Sequence, residues 1–181
     1  MGLRRTALTA MTIRIRPGLA SDAGAVATLH TASWRTAYVG IMPGAYLDGA
    51  LADDHQAMWL SRLTAEVAPG SLFVAESGSE LLGFIYLAPQ PDGRVLIDNL
   101  HVSPARKRGG IGTRLLRHGF EWAAAQFPGH PVYLEVLEGN TAAIAFYERH
   151  GGRAGAPRTY RFPQGFEVQD LEITWPVTPA G

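Results

Sequence analysis

The sequence predicts one mixed α/β domain, and three observations lead to that fold class. Short segments in which apolar residues alternate are typical of strands, and they are interspersed with longer segments whose apolar residues recur at the helical spacing. The length of 181 residues is close to the usual size of a single domain. Hydrophobic residues make up 46% and charged residues 18%, which is the composition of a compact soluble protein.

The first third of the chain predicts a strand and two helices. Isoleucine and arginine alternate over residues 13–16, and the Pro-Gly pair that follows ends this strand. The Ser-Asp pair at 21–22 is a suitable N-cap for a helix that continues to about Ser33, and Asp53 to Val67 predicts a second helix. Residues 34–47 between them combine aromatic side chains with glycine and proline, so we expect a loop that covers a pocket.

The middle of the chain predicts three antiparallel strands. The segments Leu72 to Glu76 and Leu81 to Ala88 flank a Ser-Gly-Ser turn, which is the pattern of a hairpin. A Pro-Asp-Gly turn then leads to a third strand, Arg94 to Val102.

The last third predicts a helix, a strand, a second helix and a final hairpin. The apolar residues of Gly110 to Gln126 have a helical period. Val132 to Leu137 predicts a strand, and Asn140 to His150 a helix. Arg153 to Phe162 and Phe166 to Trp175 predict the hairpin. The chain thus contains about seven strands and about four helices.

We expect a single domain over residues 11–176, preceded by an N-terminal extension, 1–10, and followed by a frayed tail, 177–181. No segment has the apolar run of a secretory signal or a membrane span. Cysteine is absent, so a cytoplasmic location is the expectation. Sixteen basic residues balance sixteen acidic ones, which argues against nucleic acid or a membrane surface as a partner.

A basic, glycine-rich turn precedes the long helix that begins near Gly110. A helix N-terminus has unpaired backbone N–H groups and a partial positive charge, so it attracts anions. Glycine lets a phosphate approach the backbone closely. The turn therefore predicts a pyrophosphate cradle, although a turn that simply caps a surface helix is the alternative. Neither the Walker pattern nor the dinucleotide fingerprint fits it. The cradle residues are Lys107, Arg108, Gly109, Gly110, Ile111, Gly112 and Thr113.

Two motifs resemble those of the GNAT superfamily of N-acetyltransferases. Leu100 to Pro104, followed by Lys107 to Gly112, resembles the family's acetyl-coenzyme A signature, [QR]-x-x-G-x-[GA], with lysine in the first position. Asn140 to Gly152 resembles the element N-x-x-A-x-x-F-Y-x-x-x-G-F, in which glycine here replaces the closing aromatic. The resemblance implies a twisted, mostly antiparallel sheet with one splayed parallel pair, flanked by helices.

The resemblance also implies the activity and its ligands. The expected reaction transfers the acetyl group of acetyl-coenzyme A to a primary amine on a small molecule, a polyamine-like compound or a protein N-terminus. The segment Ser33 to Ile41 resembles the subgroup that contains polyamine and small-amine acetyltransferases. A non-catalytic sensor of acyl-coenzyme A is the alternative. Family members often dimerise, so a homodimer is a further expectation.

The resemblance assigns cofactor contacts to three places. The backbone of Leu100, His101 and Val102 is expected to pair with the pantetheine arm and to stabilise the thioester oxygen. The loop amides from Arg108 to Thr113 would hold the pyrophosphate. The Asn140 amide would bond the arm or the attacking amine. For His101, a half-buried strand histidine is the alternative.

A base and an acid are expected on the strand and helix after the cofactor loop. An amine has a pKa near ~10.4, so it must lose a proton before it attacks a thioester. Glu135 is the expected base, while Asp98 and Asn99 are rivals; a solvated Glu135 or one paired with an arginine is the alternative. The phenol of Tyr147 is expected to protonate the leaving thiolate, and a core tyrosine is its alternative.

Trp34 and Tyr38, with Asp98 and Asn99, are the candidate acceptor contacts, although aromatic residues between two helices are as often simply core. An enclosed and acidic pocket would suit a small amine, whereas a protein N-terminus needs an open, extended groove. No metal site is expected, because the six histidines include no pair four residues apart on one helix.

Overall fold

A computed structural model describes residues 12–66 and 70–176. Within those ranges the mixed α/β class is confirmed, with eight strands and five helices. The strands are β1 (Arg14–Pro17), β2 (Ser71–Ser77), β3 (Glu80–Pro89), β4 (Val95–Val102), β5 (Val132–Leu137), β6 (Arg153–Ala154), β7 (Arg158–Arg161) and β8 (Glu167–Trp175). The helices are α1 (Ala23–Ala37), α2 (Gly44–Asp48), α3 (Leu51–Thr64), α4 (Ile111–Gln126) and α5 (Thr141–Arg149).

The structure corrects three details of the expected element order. The segment 34–47 is not one loop, because α1 continues to Ala37 and the short α2 follows Pro43. The predicted strand from Arg153 to Phe162 divides into β6 and β7, since Pro157 between them has no N–H to donate to a ladder. The second helix ends at Thr64 and not at Val67, because Ala65 is extended with ψ of 139°. The expected extension, 1–10, and the expected tail, 177–181, lie outside the described residues.

The sheet is open and mostly antiparallel, with the strand order β1-β2-β3-β4-β5-β8-β6, and β7 pairs with β8 beside β6. The parallel pair predicted from the resemblance is confirmed as β4 and β5. These strands pair only at Val95 with Val132 and at Leu96 with Tyr133, and then separate. In the β3–β4 ladder the pairing passes over Asp98, which makes it the extra residue of a β-bulge. A bulge bends and twists its strand, so it accounts for the separation.

Helices cover both faces of the sheet, and alternation along the strands fills both layers. On β2, Phe73 and Ala75 pack in the core below α4, while Leu72 and Val74 pack below α1 and α3. The α4 layer includes the fully buried side chains of Leu115 and Leu116. No helix in the described part of the chain has the length and apolar character needed to cross a bilayer.

Candidate active site

The separation of β4 and β5 opens a cleft of about 750 Å³. Nearly all the residues predicted from the sequence line it, from the basic loop at one end to α1 and β5 at the other. Gly109 is the exception. Those that line it are Trp34, Tyr38, Asp98, Asn99, Leu100, His101, Val102, Lys107, Arg108, Gly110, Ile111, Gly112, Thr113, Glu135, Asn140 and Tyr147.

The loop before α4 has the backbone of an anion cradle. Gly110 is the N-cap of α4 and has φ of 74°, a left-handed conformation that favours glycine. The first N–H groups of the helix therefore face the cleft without intrahelical acceptors. A Cβ built on Gly110 would meet no atom within 4 Å in the described structure, so the space beside it is open to a ligand. The residues present fit a diphosphate.

Cations surround this cradle. Arg106, Lys107 and Arg108 line the cleft, and so does Arg149 at the end of α5. Arg106 is anchored, since its Nη2 donates to Glu80 Oε2 at 2.8 Å. Sequence reasoning missed Arg149, because it reaches the loop only through the packing of α5 against α4.

Arg108 is the only non-glycine residue with positive φ in the described structure, at 66°. A left-handed conformation costs a residue with a Cβ about 1 kcal/mol. We therefore expect Arg108→Gly to raise the free energy of unfolding by up to about 1 kcal/mol, as measured by urea denaturation. The neighbouring Lys107 has φ of −61°, so Lys107→Gly is the matched control and should give no gain. Equal effects at the two positions would contradict the strain at Arg108.

The β5-facing edge of β4 lies open beyond Leu96, because β5 has already diverged. Leu100, His101 and Val102 remain paired with β3 on the other side. The backbone of these three residues is thus hydrogen-bonded to β3 on one side, and on the other side it faces the cleft without a paired strand. An extended arm can add to such an edge as a substitute strand.

The His101 side chain belongs to a buried group that we call the histidine cluster: His30, His55 and His101. The His30 ring stacks on His55 at a centroid distance of 3.7 Å and lies 4.4 Å from His101. Ser33 Oγ lies 3.0 Å from His101 Nδ1. Burial, then His55 and Lys107, lower the pKa of His101 to about 3, so its ring is neutral. The side chain of His101 is therefore that of a half-buried strand histidine, which was the alternative considered for it.

Tyr147 is both a core residue and a lining residue of the cleft. Its ring packs edge-on against Trp175 at 6.1 Å, and it is buried. Burial, and secondarily the neighbouring Tyr38, raise the pKa of Tyr147 above its usual value. The phenol is therefore protonated throughout the neutral range.

Glu135 pairs with an arginine, which was the alternative considered for it. Arg158 Nη2 donates to Glu135, and Arg158 Nε donates to Asp170 Oδ1 at 3.0 Å. Asp170 is buried and also lines the cleft. Its carboxylate, with that of Glu135, raises the pKa of Arg158. Arg158 and Asp170 escaped sequence reasoning because no local motif marks them; the pairing of β5, β7 and β8 brings them here.

The rival carboxylate Asp98 is also paired. Its Oδ2 accepts from Arg62 of α3 and from Asn99 Nδ2, the latter at 2.8 Å. Asp98 is exposed at the bulge, whereas Asn99 is buried. The structure therefore offers three carboxylates to the cleft, those of Asp98, Glu135 and Asp170, each with an arginine neighbour.

Asn140 has a local structural partner. Its side chain accepts from the N–H of Ala143 at 3.3 Å and so caps α5. A hydrogen bond to Asn140 also opposes the burial that raises the pKa of Tyr38. The helix cap and Tyr38 hold this amide in place at the end of β5.

Gly152, which replaces an aromatic residue of the family element, has no room for a side chain. A Cβ there would lie 2.5 Å from Ile173 and 2.9 Å from Trp175. The indole of Trp175 already fills this space and donates from Nε1 to the carbonyl of His150. The departure from the motif thus has a packing reason.

No group of three His, Asp or Glu side chains within residues 12–66 and 70–176 could hold a metal ion. The histidine cluster is no exception, since Nδ1 of His30 accepts from Trp59 Nε1 at 3.1 Å and Nδ1 of His55 lies 2.9 Å from Thr31 Oγ1.

Comparisons with known proteins agree with this geometry. A model of the acetyltransferase (GNAT) family matches residues 29–152. A probable N-acetyltransferase of Mycobacterium tuberculosis is 32% identical over 143 residues, covering 76% of this chain and 78% of the relative. The N-alpha-acetyltransferase RimI of the same organism is 38% identical over 101 residues, covering 54% of this chain and 61% of the relative.

Among solved structures, the PaiA N-acetyltransferase of Thermoplasma acidophilum, in complex with coenzyme A, aligns with a TM-score of 0.71. The alignment covers 91% of this chain and all of that one, at 18% identity, so it supports the fold alone. The family model covers well over half of the sequence, and both relatives are named as N-acetyltransferases. The chain therefore belongs to the acetyltransferase (GNAT) family and is an acyltransferase.

Proposed function

We propose that the protein transfers the acetyl group of acetyl-coenzyme A to a primary amine. One observation carries the proposal: a single cleft runs from the anion cradle before α4, along the open edge of β4, to the carboxylates on β5 and β8. A cofactor with a phosphate end and an extended arm matches the first two parts. The third part is where an amine can lose a proton.

The loop residues hold the phosphate end of the cofactor. The N–H groups at the start of α4 donate to the diphosphate, and Lys107, Arg108 and Arg149 supply positive charge. The edge of β4 from Leu100 to Val102 pairs with the pantetheine arm and directs the thioester towards β5. A complex with coenzyme A of a protein of this fold, the Thermoplasma acidophilum PaiA, supports the same ligand here.

The chemistry exchanges one bond and one proton. The amine nitrogen forms a bond to the thioester carbonyl carbon, the carbon–sulfur bond breaks, and the amine gives up a proton while the sulfur takes one. An acceptor amine reaches the site mainly as the ammonium ion, because its pKa is ~10.4. The ammonium ion first loses one proton to Glu135 or Asp170, directly or through water. When the amide forms, the nitrogen loses its second proton to water while Tyr147 donates one to the departing sulfur and is reprotonated from solvent, so one proton is released in all.

The pairing of Glu135 with Arg158 does not remove the carboxylate from the cleft. Glu135 remains half exposed, with a side-chain exposure of 44%, so a ligand can reach it. Asp170 is its buried companion on β8.

A binding and turnover experiment tests this function. Calorimetry of the folded protein with acetyl-coenzyme A should give a dissociation constant well below 1 mM, and release of free thiol should depend on added primary amine. Gly112→Val should weaken binding at least tenfold, because a Cβ there would already lie 3.5 Å from Phe146 and 3.6 Å from Val102, so the rest of the side chain would fill the cleft between them. The matched control is Gly24→Val, a helical glycine of α1 with no atom within 4 Å of the added Cβ in the described structure. No uptake at millimolar concentration would exclude the proposed function.

A further inference from the structure

The two faces of the sheet divide the cleft into a cofactor side and an acceptor side. Leu134 and Val136 of β5 pack in the core below α4, so Glu135 projects from the opposite face. Asp170 of β8 bonds Arg158 on that same face, because Arg158 also reaches Glu135. The acceptor side is therefore lined by two carboxylates, together with aromatic rings of α1 and β7 and of the residue after β7. Those rings are Trp34, Tyr38, Tyr160 and Phe162.

The connection between α1 and α2 crosses the open end of this acceptor side. Ile41 lies directly against the turn after β5: a Cβ built on Gly139 would be 3.0 Å from Ile41 Cγ1. Tyr38, at the end of α1, lines the cleft together with Asn140 of the same turn. The α1–α2 connection thus packs against the end of β5, where a chain leaving between β4 and β5 would have to pass Ile41.

The turn between β7 and β8 closes the other flank. We call its contact with α2 and α3 the clasp, defined by Tyr46, Asp54, Phe162, Gln164 and Phe166. The Phe162 and Phe166 rings stack at 4.7 Å, and Tyr46 packs on Phe166 at 5.5 Å. Gln164 Nε2 donates to Asp54 Oδ2 at 3.3 Å, which also accepts from Tyr46 Oη at 3.2 Å.

The clasp and the α1–α2 connection share one apolar cluster. Met42, Leu47 and Leu51 are buried in it, and its other members include Trp34, Phe162 and Phe166. Opening either flank would expose this apolar surface to water, so burial of the cluster stabilises the closed arrangement of both flanks.

The enclosed space is acidic. Both carboxylates line it, and the guanidinium of Arg158 bridges them. One arginine between two carboxylates leaves a net negative charge, and aromatic faces add attraction for a cation. This combination favours a compact ammonium ion.

We propose that the acceptor is a compact amine that fits beneath the clasp, held as a cation by Glu135, Asp170 and the surrounding rings, and not the N-terminus of a polypeptide. The inference rests on the proposed acetyl transfer. A free amine ends within the enclosure, whereas a polypeptide must continue out of it past Ile41 or past the clasp.

Matched conjugates of coenzyme A test the size limit without requiring turnover. One conjugate joins the sulfur through an acetyl spacer to alanine amide, and the other joins it in the same way to an octapeptide that begins with alanine. We expect calorimetry to show that the longer conjugate binds at least tenfold more weakly than the shorter one. If the octapeptide conjugate binds equally well or more tightly, the proposal is wrong.

Loosening the clasp should remove the discrimination. In Gln164→Ala/Phe166→Ala, the two conjugates should bind within about threefold of each other, with coenzyme A itself bound as in the unaltered protein. Gln169→Ala is the control, since Gln169 bonds Thr159 on the same hairpin away from the clasp. Persistent discrimination in the double variant would also refute the enclosure. Failure of coenzyme A itself to bind would instead refute the proposed function.

Discussion

Replacing Tyr147 by phenylalanine should lower kcat about 100-fold at saturating acetyl-coenzyme A, while the dissociation constant of coenzyme A changes less than about twofold. A positioned general acid contributes about 10²–10⁴-fold to a rate. The substitution removes only the phenolic oxygen, and the ring contact with Trp175 remains. Steady-state kinetics with one acetylatable amine, combined with calorimetry, measures both quantities.

The control for this variant is Tyr133→Phe, the same chemical change on β5, where the ring lies against the Arg94 guanidinium at 3.8 Å and outside the cleft lining. It should leave kcat unchanged. Because burial raises the pKa of Tyr147, its proton is retained well above pH 9, so the rate should show no alkaline decline from this residue. Unchanged turnover in Tyr147→Phe would remove the phenol from the mechanism.

The folded protein should lose several kcal/mol of stability between pH 7.5 and pH 5. Burial lowers the pKa of His55 to about 4 and that of His101 to about 3, and it lowers the pKa of His30 as well. In the unfolded chain each imidazole has its ordinary pKa of about 6.5. As the pH falls below 6.5, the unfolded state takes up protons that the folded state rejects, so stability is lost.

The sign and size of this effect follow from proton linkage. Above pH 6.5 both states are neutral at these histidines, and the cluster contributes no pH dependence. At pH 5 His55 and His101 each cost about 2 kcal/mol, so these two together cost about 4 kcal/mol, and the lowered pKa of His30 adds to the loss. A loss of this order is a large part of the whole stability of many domains, about 5–15 kcal/mol.

Urea denaturation at pH 7.5 and pH 5 measures the loss. His55→Asn removes one titrating ring while retaining a group near Thr31, so it should reduce the loss of stability at pH 5 by about 2 kcal/mol. His118→Asn on α4, outside the histidine cluster, is the control and should keep the full dependence. Equal stability of the unaltered protein at the two pH values would contradict neutral burial of the cluster.

Local patterns were sufficient for most of the fold and for the cofactor loop. Eight of the predicted segments, such as Leu81 to Ala88 and Val132 to Leu137, correspond to elements whose bounds lie within one residue of the prediction. The loop from Lys107 to Thr113 was predictable because glycine conformation and a helix start depend on neighbouring residues. The short α2 was missed because five residues give too little periodicity.

What the sequence by itself determined is therefore the order of strands and helices, the glycine-rich turn at the start of α4, and the family. Only the tertiary structure decided which side chains the candidate groups contact. Glu135 pairs with Arg158, which also pairs with Asp170, and His101 packs against His30, which stacks on His55. The physical reason is separation along the chain. A turn or a helix cap is stabilised by residues a few positions apart, whereas these contacts depend on strand register, on a bulge at Asp98 and on helix packing.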